Sequence, residues 1–254
     1  MPPPLPPRMS AAEIAARAAE KRRTILAFLA SGERWTTQEI VQQLLGGCDR
    51  MAAARTLRAL ERGGYVISEK INPVVPTIYG VTAAGLALAG IDDLLPFWRG
   101  RVKPAFMNHH LAIQRARIRA ESLNWGYWIP TRRLMPPPAR AKAGPKVSPA
   151  KIPDAVVTSP RGTVVAVEVE INHKYPSTKY QDILGRHIEA IQVGKYQLVH
   201  YLDPNNRQAT LERLFAALTT LRVRGELVAF TDAYRKRFAC FSLAAWPPAS
   251  SAGD

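Results

Sequence analysis

Residues 35–68 read WTTQEIVQQLLGGCDRMAAARTLRALERGGYVIS, and the punctuation of this stretch decides the architecture of the first third of the chain. Thr36 and Glu39 stand at capping-box spacing, and Ile40, Val41, Leu44 and Leu45 follow at helical intervals, so a helix begins here and stops at Gly46-Gly47. Asp49 can accept hydrogen bonds from the free amides of a new first turn. It therefore caps a further helix reaching Leu60, with Ala53, Leu57 and Leu60 on the buried stripe. Gly63-Gly64 ends it, because glycine tolerates the left-handed backbone that closes a helix. Arg50, Arg55 and Arg58 stand on the opposite face.

Upstream, residues 11–30 place Ile14, Ala18, Ile25, Phe28 and Leu29 at helical spacing, with Lys21, Arg22 and Arg23 between them and a stop at Ser31-Gly32. Downstream, residues 65–68 and 78–81 read as strands. The intervening segment carries Lys70 together with the turn formers Asn72, Pro73 and Pro76. Thr82 caps a short helix over 83–89. The order helix, helix, helix, hairpin, helix, with Tyr79, Thr82 and Gly85 after the hairpin, resembles the winged-helix family. That resemblance implies a third helix in the major groove of double-stranded DNA, with Arg50, Arg55, Arg58 and the wing residue Lys70 as DNA-binding side chains. An ordinary solvated basic face is the alternative, and the fold alone fixes no ligand.

Composition supports a polyanionic partner: 35 Lys and Arg against 20 Asp and Glu give a formal charge of +15. No apolar run approaches the roughly 20 residues needed to span a bilayer, which argues against an integral membrane protein. The opening MPPPLPPRMS has no apolar leader core, and Cys48 and Cys240 match no metal-ligand spacing, so the expectation is a cytoplasmic, disulfide-free protein. The expected organisation is a Pro-rich tail and start of the first helix (1–19), a winged helix (20–92), a linker with Pro96, Gly100 and Pro104 (93–107), an α/β domain (108–246) and a disordered tail (247–254).

In the second part a helix is expected over 108–123 and a strand over 125–130. Residues 122–153 then hold six basic residues, no acidic one and seven prolines, which reads as a mobile loop. Arg132, Arg133, Arg140, Lys142 and Lys146 could follow a phosphate backbone from it. Residues 151–157, KIPDAVV, and 163–171 are expected to pair as a hairpin through Arg161-Gly162. The period of two puts Glu168 and Glu170 on one face, with Asp154 on the neighbouring strand. Three such carboxylates suit a hard cation, Mg²⁺ or Mn²⁺, and Lys174 could steady a phosphate beside them. Helices over 180–191 and 211–221 and a strand over 196–202 complete the reading.

The carboxylate pattern resembles the PD-(D/E)XK nuclease superfamily through Pro153-Asp154 and Glu168, but Glu170 stands where that pattern has lysine, and the nearest lysines are Lys174 and Lys179. Across most of residues 24–202 the chain is similar to the replication-relaxation family. There a winged helix precedes a Pro-Asp-Ala strand and a Glu-x-Glu strand, and a helix between them opens His-x-Leu-Ala, here His109-His110-Leu111-Ala112. Relatives in that family include mobilisation relaxases of the MobC type.

The combined expectation is an α+β chain: an N-terminal winged helix-turn-helix followed by an α/β restriction-endonuclease-like domain. The resemblance implies metal-dependent DNA nicking, with Asp154 and Glu168 as metal ligands and Glu170 as a further ligand or general base. Lys174 would neutralise charge at the phosphate and His109 would orient the site. Other mobilisation or replication proteins would be partners, and Tyr175 or Tyr180 could form a covalent link. Three alternatives stay open: a noncatalytic DNA-binding regulator or accessory factor, an RNA-binding or docking protein, and edge-strand glutamates paired with Lys or Arg without a metal.

Overall fold

The computed structural model describes residues 9–135, 151–174 and 178–248, and its mixed α+β chain divides into two units, Met1–Pro104 and Ala105–Asp254. In the first unit, Ser10 and Glu13 form a reciprocal capping box that opens α1 (Ala11–Phe28), whose C-terminal end alone is buried, through Ile25, Leu26 and Phe28. A wide turn over Leu29–Glu33, with Gly32 at φ 130°, leads into β1 (Trp35–Thr37). Helix α2 (Gln38–Leu44) is capped by Thr37, whose hydroxyl accepts from the Ile40 amide, and not by Thr36. Both threonines are buried in β1 and paired with the hairpin, and the cap falls to Thr37 because it is the last residue of the strand, directly before the first helical turn.

Asp49 caps α3 (Arg50–Arg62) as the sequence suggests, accepting from the Ala52 amide. Strands β2 (Val66–Glu69) and β3 (Ile78–Val81) form the hairpin, and β1 adds antiparallel to β3, giving a sheet of order β1-β3-β2. Thr82 caps α4 (Ala83–Leu88). Ile25, Leu29, Val41, Leu57, Leu60, Val66, Val81 and Leu86 form one core.

The segment expected as a linker over 93–107 is, as far as Gly100, a strap on this sheet. The Phe97 amide donates to Val81 O at 2.8 Å, Arg99 donates to Ser68 O at 3.0 Å, and the Gly100 amide donates to Glu69 Oε1 at 2.9 Å. Phe97 lies so close over Gly80 that a methyl group at position 80 would come within 2.0 Å of its ring. Proline and glycine mark a strap and a free linker alike, which is why composition alone does not separate them.

In the second unit, α5 (Pro104–Ser122) starts four residues earlier than expected, since proline is compatible with a first helical turn. There follow β4 (Gly126–Pro130), α6 (Thr131–Leu134), β5 (Ala155–Thr158), β6 (Val164–Val169), α7 (Thr178–Gln192), β7 (Leu198–Asp203) and α8 (Gln208–Ala216). The hairpin β8 (Thr220–Val223) and β9 (Glu226–Ala229), then α9 (Asp232–Arg235) and β10 (Phe238–Ser242), end the series. The main sheet has the order β10-β7-β6-β5-β4, with β6 and β10 parallel to β7 and the other two pairs antiparallel. Val165, Val167 and Val169 face a core with Ala112 and Ala116 of α5 and Trp246. Ala166 faces the opposite core of Tyr180, Leu184, Ile188 and Phe215.

The helix expected over 211–221 stops at Ala216, because Leu221 and Val223 alternate as strand residues although the spacing from Leu211 also fits a helix. Among the described residues no helix is long and apolar enough to cross a membrane, and Cys48 and Cys240 are free thiols.

Helix α7 rests directly on the backbone of β8. A methyl group at Gly185 would fall 1.9 Å from the Arg222 carbonyl oxygen, so Gly185→Ala is expected to cost about 1–3 kcal/mol, read as a lowered urea midpoint.

His200 accepts from Trp246 Nε1 at 2.9 Å, and burial pushes its imidazole down to about 4 from the ordinary 6.5. It stays neutral in the folded chain while the unfolded chain takes up a proton below 6.5. Its contribution to stability is therefore complete above about 6.5 and is lost as pH falls towards 4, by on the order of 3 kcal/mol. His200→Gln, which keeps an acceptor for Trp246, should flatten urea-measured stability across that window relative to the wild type.

Candidate functional site

Two groups of side chains emerge, one in each unit. On α3, Arg50, Met51, Arg55, Arg58 and Arg62 are exposed, while the helix's one acid, Glu61, accepts from the amide and hydroxyl of Ser68 on β2. The arginines do not all face one hollow. Arg50 lines a cleft of about 450 Å³ with Lys70, Gln38, Gln42, Thr77 and Tyr79, between α2 and the hairpin. Arg58 sits near enough to Tyr79 to oppose the rise in its hydroxyl pKa, a rise caused first by burial and then by Glu61. Arg55 instead lines a groove of about 460 Å³ against α1, where Arg17, Lys21 and Arg22 also stand and no acid does. The sequence shows those α1 cations, but their approach to Arg55 depends on how α1 crosses α3.

In the second unit the carboxylates lie where β5 begins and β6 ends. Asp154 precedes the β5 ladder. Its Oδ2 accepts from the Val169 amide at 2.8 Å and meets His109 Nε2 at 3.1 Å, the same nitrogen lying 3.0 Å from Val169 O. The hydrogen bond to Asp154 chiefly raises the His109 pKa above its ordinary value, against the downward push of burial. The Asp154 backbone oxygen accepts from the amide and hydroxyl of Thr131. Through Thr131 the short helix α6, with Arg132 and Arg133, is fastened beside the carboxylates. Arg140, Lys142, Lys146 and Tyr175 lie outside the described residues.

Glu168 and Glu170 share a face, as the period of two requires, and both are buried, at 8% and 7% exposure, on a strand that is central rather than at an edge. Lys151 Nζ is 2.8 Å from Glu168 Oε1 and 2.9 Å from Oε2, and Lys174 pairs with Glu170. His187 Nε2 approaches Glu168 Oε1 at 3.2 Å from α7. On the same face Tyr201 Oη is buried with no hydrogen-bond partner among the described residues.

Tyr180 is fully buried below Lys174, and burial raises its pKa well above the ordinary phenol value against the lowering effect of the Lys174 amide, which donates to its hydroxyl; such a phenol is not exposed as a nucleophile. The loop carrying Lys174 is held from below: His173 Nε2 meets the buried Asp203 at 3.0 Å, and Arg207 and Asn205 donate to Ile171 O.

The structure thus joins His109 to Asp154 and Lys174 to Glu170, but it does not gather Asp154, Glu168 and Glu170 into one cluster. Among the described residues no group of three or more His, Cys, Asp or Glu side chains is arranged to hold a metal ion. Sequence reading missed Lys151 and His187. Lys151 carries a signal in hindsight, since it stands three residues before Asp154 in the same strand-opening segment, whereas His187 carries none.

No protein-family model and no curated protein matches the chain. Among solved structures it is similar, over 31% of its length and at 19% identity, to a doubly substituted apo form of ZitR from Lactococcus lactis, with a TM-score of 0.26; it spans 58% of that protein.

Proposed function

We propose that the first unit is a winged helix-turn-helix that binds double-stranded DNA, with α3 in the major groove and the β2–β3 hairpin as the wing. The observation that carries this reading is the exposed surface of α3, which carries Arg50, Arg55, Arg58 and Arg62 while the helix's one acid, Glu61, is held by Ser68. Guanidinium groups there can reach phosphates or guanine edges, and Lys70 can reach a flanking phosphate from the wing. The net charge of +15 adds a long-range attraction for the same polyanion.

A second reading concerns the other unit: a nuclease-like site of the replication-relaxation kind, acting in plasmid or mobile-element replication or mobilisation. It is favoured by Asp154 and Glu168 lying at adjoining ends of neighbouring strands with two lysines beside them. Asp154 and Glu168 would supply hard oxygen donors to Mg²⁺ or Mn²⁺, although Glu168 is already paired with Lys151 and no third acid or histidine among the described residues completes a cation site with them. Such an ion, when bound, polarises a phosphodiester. The chain's own residues do the rest. His109 holds Asp154 in place, Lys174 neutralises charge at the phosphate, and Arg132 and Arg133 guide the backbone towards the Asp154 end of the sheet. With Glu170 closed on Lys174, the site also suits a DNA-binding regulator without catalysis.

Arg50→Ala and Arg58→Ala are each expected to weaken duplex binding by about 1–3 kcal/mol where they read a base. Where they meet phosphate, the salt dependence should fall by about one counterion. A gel-shift titration of the double variant with wild-type affinity would remove α3 from the interface. For the second unit, supercoiled plasmid carrying the neighbouring native DNA should be nicked with Mg²⁺ or Mn²⁺ by the wild type and by neither Asp154→Ala nor Glu168→Ala. Binding without nicking under both metals identifies the regulator.

A further inference from the structure

Helix α1 is buried only through its last turns, and its residues 11–17 stand exposed. Ile14, Arg17, Ala18, Lys21 and Arg22 recur at intervals of three and four, so one face of the helix carries them all along the groove that Arg55 lines from α3. Ile14 and Ala18 contribute apolar lining, whereas Arg17, Lys21, Arg22 and Arg55 contribute four positive charges. The acids of α1 do not balance them. Glu13 accepts from the Ser10 amide in the capping box, Glu20 pairs with Arg23, and neither lines the groove. Lys21 and Arg22 are half-buried, yet among the described residues neither they nor Arg55 meets a carboxylate. Four like charges held around one hollow repel one another, and the folded unit gains nothing from that crowding unless an anion joins them. Arg55 also shares an exposed stripe of α3 with Arg58 and Arg62, at helical spacing, so the groove runs on from the surface assigned to DNA.

We propose that this groove is a second contact with double-stranded DNA, in which Arg17, Lys21 and Arg22 of α1, together with Arg55, hold the phosphate backbone beside the stretch that α3 enters. This rests on the reading of α3 as a DNA-binding helix. What the groove recognises is phosphate charge and not base sequence, because its cations bring no donor and acceptor pattern to match a base edge. Each phosphate neutralised there releases condensed counterions and adds about 0.9 to the slope of log affinity against log salt. The α1 cations thus strengthen binding evenly across sequences, and discrimination among them is left to α3.

The test is a gel-shift titration of the full chain on mixed-sequence duplexes between about 50 and 200 mM salt. A variant with Arg17→Gln, Lys21→Gln and Arg22→Gln keeps good helix formers in α1 and leaves the buried Ile25, Leu26 and Phe28 untouched. Its salt slope should fall by about two to three, and its affinity should drop at least about tenfold by the same factor on every duplex. A charge-matched variant, Lys195→Gln, Lys236→Gln and Arg237→Gln, draws on exposed cations of the second unit and should hold the wild-type slope to within about one. Equal losses in the two variants overturn the inference, since the long-range field alone then accounts for both. A wild-type slope in the α1 variant, with Arg58→Ala impaired, overturns the α1 contact and leaves the α3 reading standing. Polyglutamate bound by the wild type as tightly as duplex, and lost in the α1 variant, assigns the groove to an acidic protein chain and overturns its assignment to DNA. Absence of duplex binding by the wild type overturns the α3 reading and this inference with it.

Discussion

A central strand that ends in two buried carboxylates sets the terms for the whole second unit. Strand β6 is covered on both sides, by the α5 core and by the α7 core, so Glu168 and Glu170 cannot keep their hydration. Removing an ionised carboxylate from water without a partner costs several kcal/mol, more than half the margin of many domains. Each glutamate is accordingly met by a separate cation drawn from another part of the chain: Lys151 from the approach to β5 and Lys174 from the loop after β6. The arrangement matches the expected pairing of the glutamates with lysine, but in the middle of a sheet rather than at its edge, where water would have screened the same pairs.

The surrounding bonds fix the segments that deliver those cations. Thr131 ties the start of α6 to the backbone of Asp154, and the Asp154 side chain in turn takes the Val169 amide. Below Lys174, the buried Asp203 holds His173, and Arg207 and Asn205 hold the Ile171 carbonyl. Backbone groups that leave the sheet here, where β6 ends, would otherwise be buried without partners. The same residues that solve this structural problem gather acids, imidazoles and lysines at the ends of neighbouring strands.

Much of the first unit was legible because its signals are local. Asp49, Thr82 and the glycine pairs act within one turn of the chain, and the structure places a cap or a stop at each. Thr36 misled by one position because β1 runs through Thr37 before the helix starts, and that strand pairs with residues some forty positions later, a contact that helix-capping patterns cannot register. In the second unit the hairpin over 155–169 and the shared face of Glu168 and Glu170 follow from a period of two. The pairing of Glu168 with His187 does not, since it depends on how α7 lies across β6. Leu211, Leu218 and Leu221 show the same limit: their spacing fits a helix, yet the last belongs to β8, because tertiary pairing decides between two periods that both fit.

The replacement of lysine by Glu170 in the nuclease-like pattern takes on a physical meaning from these contacts. Position 170 lies on the buried face of a strand, and an acid there draws Lys174 inward across four residues. The cation is thus restored to the region on a flexible arm, while Lys151 neutralises the other glutamate from outside. Asp154, Glu168 and Glu170 are then balanced by Lys151, Lys174 and, when protonated, His109, without any added ion. Any divalent cation brought to these carboxylates would have to displace an ammonium group rather than fill a purely anionic hollow. The net attraction that such an ion would feel is weaker than three bare carboxylates would supply.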